Sequence, residues 1–320
     1  MGLNPLKWPH KAKLIAAFAT LYIVWGSTYL VIRIGLKTDL PPSLFAGARL
    51  VPAGLILLAF ARWRGRPLRI PLNEYRIVAI IGLFLLVGGM YSTYLSERVI
   101  PSGLAALIVA LLPLWMALAE SFVPGMDRPS ARGIFGLVVG FSGLGVLMAP
   151  RLAGFTGTPE DILGIATQVL GTWLWTTGSV LSKRHPVKTD ALVATGYEML
   201  TAGAALFVIG TLKGEWPSFA LTPSGAGALA YLILMGSCVA FTAFVWLLRN
   251  APASKVMTYA YVNPVIAVFL GWLVLAEPVD GWMLAGMAII VLGVALTTSA
   301  PTRSGKPAAV PPPESVPIEA

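Results

Sequence analysis

Two charged side chains stand inside long apolar runs of this sequence. Glu198 lies in ALVATGYEMLTAGAALFVIG and Arg49 in SLFAGARLVPAGLILLAF. An ionised group surrounded by hydrocarbon is costly, so such residues are paired or functional. Aromatic residues cluster at helical spacing elsewhere. Trp25 and Tyr29 are four apart, and Tyr91 and Tyr94 three apart, so each pair shares a helix face, with Ser27 between the first two. Trp173 and Trp175 are two apart and cannot share one. Tyr259 and Asn263 are four apart, and Asn263 precedes Pro264. A proline inside a helix leaves the carbonyl four residues back unpaired, here that of Ala260. Asn263 and that carbonyl would form a polar anchor in an apolar stretch. Pro113 occupies a similar place in an earlier run, so Pro113 and Pro264 are the expected helix breaks.

The elements that position these residues follow from composition. The chain has 320 residues, 57% hydrophobic and 12% charged, with a mean hydropathy of +0.78. Soluble domains carry about 25% charged residues, so the chain reads as an all-α membrane protein. Its net charge of +9 is spread over short gaps between apolar runs, which excludes a nucleic-acid surface. The single cysteine, Cys238, forms no intrachain disulfide. The run 14–36 is too long for the core of a signal peptide and reads as a retained anchor.

A bilayer span needs about 20 apolar residues. Ten such runs occur, near 14–36, 42–61, 77–96, 101–122, 132–150, 160–182, 190–212, 225–248, 253–276 and 281–299. Residues 1–13 are expected to be a terminal segment, and the proline-rich 300–320 a disordered tail. Ten spans put both termini on one face. That face collects 17 of the 23 basic residues, and the positive-inside rule makes it cytoplasmic.

The chain is also one design written twice. Trp25 and Trp175 are 150 apart, as are Gly136 and Gly286, and Gly143 and Gly293. Arg98, Pro101 and Pro113 precede Arg249, Pro252 and Pro264 by 151. The two units are 14–150 and 160–299, with five spans each. Five is odd, so the second unit is inverted relative to the first, an arrangement common in secondary transporters.

The residues now assembled resemble a drug/metabolite transporter of the EamA type, in the subgroup of bacterial inner-membrane exporters. The resemblance rests on Trp25-Gly26-Ser27-Thr28-Tyr29, Arg49, Val99-Ile100-Pro101-Ser102-Gly103, Glu198 and Tyr259-Ala260-Tyr261-Val262-Asn263-Pro264. It implies ten transmembrane helices, alternating access, and a central cavity lined by spans 1, 3, 4, 6, 8 and 9. It also implies a small-molecule substrate such as an amino acid, metabolite or drug, with no cofactor or metal. Within that frame Trp25, Ser27, Tyr29, Tyr91, Tyr94, Trp175, Tyr259 and Asn263 are the substrate-binding candidates. Packing or an interfacial belt is the other reading of the aromatics.

Arg49 and Glu198 occupy matching places in the two repeats, about 10 and 12 Å from opposite faces of a core about 30 Å thick. Either Glu198 exchanges a coupled proton, or the two groups form an ion pair, direct or through water, that locks spans 2 and 7. Gly136 to Gly140 is a GxxxG pair, suited to close packing within the chain or to a homodimer seam. Gly140-Phe141-Ser142-Gly143 resembles a rhomboid-protease nucleophile site. A serine nucleophile needs a base, and the two histidines, His10 and His185, lie at span edges. A carrier is therefore preferred to a protease or a non-transporting scaffold.

Overall fold

The computed structural model describes residues 9–36, 40–100, 102–152, 157–275 and 279–303. The expected terminal segment is thus described only from residue 9, and the tail only to residue 303. The side chains of Tyr29 and Arg33 lie outside the described residues.

All ten expected spans are helical. Span 1 is His10–Leu36, span 2 Pro42–Trp63, span 3 Leu72–Ser96, span 5 Ala131–Leu152 and span 6 Pro159–Arg184. Span 7 is Ala191–Leu212, span 8 Pro223–Asn250 and span 10 Gly281–Ser299. Spans 4 and 9 are each in two pieces, Ser102–Val109 with Leu112–Phe122, and Ala253–Val256 with Tyr259–Leu275. Each half contributes five spans, so the second is inverted relative to the first.

The breaks in spans 4 and 9 correct half of the sequence expectation. Pro113 sits in the first turn of Leu112–Phe122, where its missing N–H is not needed. Pro264, by contrast, lies inside a continuous helix. The break in span 9 falls earlier, at Met257 and Thr258. There the Thr258 hydroxyl donates to the Lys255 carbonyl at 2.6 Å, and the amides of Thr258, Ala260 and Tyr261 bond three residues back rather than four. A hydroxyl that competes for backbone partners loosens a helix in this way.

The halves interlock along two seams of matching helices, span 5 on span 10 and span 2 on span 7. Glycine makes both seams. A Cβ on Gly293 would lie 2.3 Å from the Gly140 nitrogen, and one on Gly286 would lie 2.4 Å from the Leu147 Cβ. On the second seam, a Cβ on Gly54 would lie 2.8 Å from the Gly196 carbonyl. Between apolar helices in lipid, this backbone proximity gains the van der Waals contact that holds them. The Gly136–Gly140 pair is therefore used inside the chain, facing Thr297 and Tyr261, and offers no bare seam for a homodimer.

Spans 3 and 8, which correspond in the repeat, both widen into π-helix, over Leu83–Met90 and Leu232–Phe241. Such stretches concentrate at functional sites. Carboxylates cap helix starts across the repeat boundary in both directions. Glu215 accepts the amides of Ser43 and Leu44 at 3.1 Å each, and Glu74 accepts from Thr189 N–H and hydroxyl at 2.9 and 2.6 Å. The start of the tail is not free. Thr302–Arg303 pairs antiparallel with Arg128–Pro129, and Lys255 Nζ donates to the Thr298 and Ala300 carbonyls at 2.8 and 2.6 Å.

With backbone this close, Gly293→Ala should destabilise the protein by about 1–3 kcal/mol, the range for overpacking. Gly145→Ala, where nothing lies within 4 Å of the added carbon, should be neutral. Thermal unfolding of both variants in detergent measures the difference.

Candidate solute site between the two halves

A cavity of about 120 Å³ lies between the halves, well above the ~10–15 Å³ that one water requires. Its walls come from spans 1, 3, 4, 6, 8 and 9, and also from Arg49 and Leu50 of span 2 and Met199 of span 7. Spans 2 and 7 were not expected there. They reach it because their glycine seam draws them inward against the π-helical parts of spans 3 and 8.

The cavity has a floor and a direction. Trp25, Trp175, Phe244 and Tyr259 pack as one aromatic cluster, with Trp25 4.7 Å from Tyr259, 5.3 Å from Phe244 and 5.8 Å from Trp175, centroid to centroid. Tilted and edge-on contacts of this kind are favourable beyond the area they bury. Above the floor stand Thr28, Ile32, Thr93, Tyr94 and Gln168, in the half of the bundle remote from the termini. Below it, contacts tie opposing spans together. The Tyr22 and Thr258 hydroxyls meet at 2.6 Å. Lys183 donates to the Ala251 carbonyl at 2.9 Å and pairs with Asp127 at 3.4 Å. Glu120, fully buried, accepts the amides of Ala253 and Ser254 at 2.7 and 3.2 Å. The near-terminal side is closed.

Four of the eight sequence candidates, Trp25, Tyr94, Trp175 and Tyr259, line the cavity with their rings, and Asn263 joins them as a fifth. Trp25 donates its indole N–H to the Gly236 carbonyl at 3.1 Å, in the π-helical part of span 8. The Trp175 indole nitrogen and Asn263 Oδ1 are both buried with no hydrogen-bond partner. Ser27 and Tyr91 are engaged elsewhere. Ser27 meets the Tyr231 hydroxyl at 2.6 Å, and Tyr91 meets Ser43 at 2.6 Å and Lys213 at 2.9 Å. Neither is part of the cavity wall.

Arg49 and Glu198 do not form the direct ion pair offered as one reading of their positions. Arg49 is 6% exposed, with Nε donating to Ser237 Oγ at 2.9 Å and Nη1 to the Tyr94 hydroxyl at 3.3 Å. Glu198 is buried with Oε2 unpartnered. Ion pairs form instead between Arg66 and Asp190 and between Lys183 and Asp127. Arg49 turns toward span 8, whereas the Glu198 backbone abuts span 3, where a Cβ on Gly82 would lie 2.7 Å from the Glu198 carbonyl.

The sequence profile of the EamA-like transporter family matches residues 12–149 and again 162–299. The chain belongs to the EamA-like transporter family. Over 89% of its length it is 36% identical to a protein of Escherichia coli strain K12 named uncharacterized inner membrane transporter YedA, covering 90% of that protein. It is 27% identical to the WAT1-related protein At3g02690, chloroplastic, of Arabidopsis thaliana, over 86% of this chain and 67% of that one. A solved crystal structure shares the fold at a TM-score of 0.77 and 23% identity, covering 91% of this chain and 97% of the other.

This is a transporter family and not an enzyme family. Ser142 Oγ donates to the Val139 carbonyl at 2.8 Å on an exposed face of span 5, away from the cavity. The sequence reading missed Thr93, Gln168 and Ser237, which bring polar groups to the cavity, and Glu120 below the floor. An amide or hydroxyl inside an apolar run is the signal that marks them. Gln168 receives the Ser96 hydroxyl at 2.5 Å and donates to Thr93 at 3.2 Å, which holds span 6 to span 3.

Glu120 closes the near side through charge-assisted bonds, each worth about 1.5–3 kcal/mol. Glu120→Gln should therefore raise opening there about tenfold, which corresponds to about 1.4 kcal/mol. The rate at which a hydrophilic thiol reagent modifies Val256→Cys, in a Cys238→Ala background, reads this directly.

Proposed function

We propose that this EamA-like chain is a secondary carrier that moves a small organic solute across a bacterial inner membrane by alternating access. Its termini are in the cytoplasm and its direction is export. The observation that carries this reading is the cavity between inverted halves, with aromatics and hydrogen bonds closing its near-terminal side. A solute bound against the floor would face the periplasm in this conformation. Exchange of the near-side contacts for equivalent ones on the far side would turn it to the cytoplasm. The distribution of basic residues supports the assignment of faces, and resemblance to the bacterial exporter subgroup supports the direction.

Glu198 is the proposed site of proton coupling. It is buried in a span with an unpartnered oxygen, touches span 3 through Gly82, and precedes Met199, which lines the cavity. A change of its charge would reach the solute site through both neighbours. Trp25 and Tyr259 form the platform on which the solute rests.

Two outcomes are expected in proteoliposomes, with solutes chosen by screening overexpressing cells for resistance to toxic amino acids and drugs. Glu198→Gln should abolish accumulation driven by a proton gradient while solute exchange without a gradient continues. Loss of both, together with loss of folded protein, would assign Glu198 a structural role. Tyr259→Ala should raise the half-saturating solute concentration about tenfold, the scale of one lost aromatic contact of about 1–1.5 kcal/mol, with membrane insertion unchanged. An unchanged half-saturation would make the ring a packing element.

A further inference from the structure

Two of the short basic gaps in the sequence are brought together by the fold. The gap between spans 2 and 3 holds four arginines in eight residues, Arg62, Arg64, Arg66 and Arg69, and the gap between spans 6 and 7 holds Arg184 and Lys188. All six are exposed, on the side of the termini. Their scaffold is well braced. Gly65, at φ +72°, ends span 2, with the Arg64 amide on the Phe60 carbonyl at 3.0 Å and the Arg66 amide on the Ala61 carbonyl at 2.9 Å. A glycine cap of this kind satisfies the last carbonyls of a helix, so the arginine side chains are not needed for that. The Tyr197 hydroxyl donates to the Leu68 carbonyl at 3.1 Å, and Arg66 pairs with Asp190 at 3.6 Å. These contacts seat one gap against the other across the two halves. The carboxylates in the two gaps, Glu74 and Asp190, are outnumbered by the cations, and both already hold the start of span 7 through Thr189 and the Leu192 amide.

Beside this basic surface the outer face of span 2 is apolar. Ile56, Phe60 and Trp63 stand at i, i+4 and i+7, on one helix face, and are 40, 43 and 76% exposed. The Phe60 and Trp63 rings lie 5.7 Å apart, and the Arg64 guanidinium carbon lies 6.0 Å from the Phe60 centroid. A cation thus stands at the end of an apolar stripe, where a span leaves the bilayer. We propose that this surface binds an anionic phospholipid of the leaflet on the side of the termini, with its phosphate on the arginines and an acyl chain along the stripe. Charge complementarity selects that occupant. Basic clusters next to a span attract anionic lipids, and guanidinium grips phosphate oxygens through paired N–H donors. Free phosphate would meet the charges and leave the stripe bare. The positive-inside rule asks for basic residues on this face but does not say where on it they stand. Here they gather where the two halves meet, so one headgroup would bridge the halves beside the glycine seam of spans 2 and 7.

The test is native mass spectrometry of the full-length chain in detergent, titrated with phosphatidylglycerol and with phosphatidylcholine of the same acyl chains. Phosphatidylglycerol should bind at least tenfold more tightly, as charge-assisted bonds to several arginines require. The triple variant Arg62→Gln, Arg64→Gln, Arg69→Gln removes exposed charges and leaves the Arg66–Asp190 pair in place. It should bring the ratio of the two lipids close to one. The triple variant Lys11→Gln, Arg128→Gln, Arg249→Gln removes as much exposed charge elsewhere on the same side and should leave the ratio unchanged. Trp63→Ala should weaken phosphatidylglycerol severalfold with all the charges kept. Glycerol phosphate, which offers the anion without acyl chains, should compete poorly. Equal binding of the two lipids by the unaltered chain would overturn the proposal. So would an equal fall in both triple variants, which would reduce the effect to overall charge. Displacement of the lipid by glycerol phosphate at matching concentration, with Trp63→Ala unaffected, would also overturn it and make this a site for free phosphate.

Discussion

An arginine deep inside a bundle of apolar helices must have its donors satisfied, and how Arg49 is satisfied governs the site. Hydroxyls of spans 3 and 8 hold it, not a carboxylate. Hydroxyls orient a guanidinium without cancelling its charge. A buried ion pair with Glu198 would have locked spans 2 and 7 and left the cavity neutral. Instead the cation lines the cavity, and the Glu198 carboxylate is buried with Oε2 unpartnered.

That arrangement depends on how closely the helices approach. Span 5 meets span 10, and span 2 meets span 7, with glycine where any larger residue would force them apart. Matching helices pair across the two inverted halves, so each seam uses similar residues from both. With the seams this tight, the π-helical segments of spans 3 and 8 are the place where the bundle widens. The cavity forms there. Trp25 and Trp175, which correspond in the repeat, meet at its floor, yet only Trp25 has a carbonyl partner. The repeat supplies the frame, and the departure from symmetry supplies an open hydrogen-bond donor.

Much of this could be read from the amino acids. Ten runs of about 20 apolar residues mark ten helices within a few positions, because hydrocarbon thickness dictates their length. The recurrence of Trp, Arg, Pro and Gly at spacings near 150 reveals the two halves. Helical spacing does not reveal which way a face points. Tyr91 and Tyr94 share a face by spacing, yet Tyr94 lines the cavity while Tyr91 bonds Ser43 and Lys213. Arg49 and Glu198 match in depth, but depth does not fix partners, and Arg49 bonds the hydroxyls of Ser237 and Tyr94 instead. Pro264 suggested a break that falls instead at Met257 and Thr258, where the Thr258 hydroxyl takes the Lys255 carbonyl. Gln168 and Ser237 carry no charge and no repeat signature, so only their polarity in an apolar run distinguished them.

The central claim is that the space between the halves is the solute site, reached from the face away from the termini in this conformation. Thr93→Cys on the cavity wall, in a Cys238→Ala background, tests it most directly with a membrane-impermeant thiol reagent applied to each face of sealed vesicles. The account predicts modification from the face opposite the termini, slowed by a transported solute at saturating concentration. Modification only from the terminal face, or a rate that no transported solute alters, would contradict it.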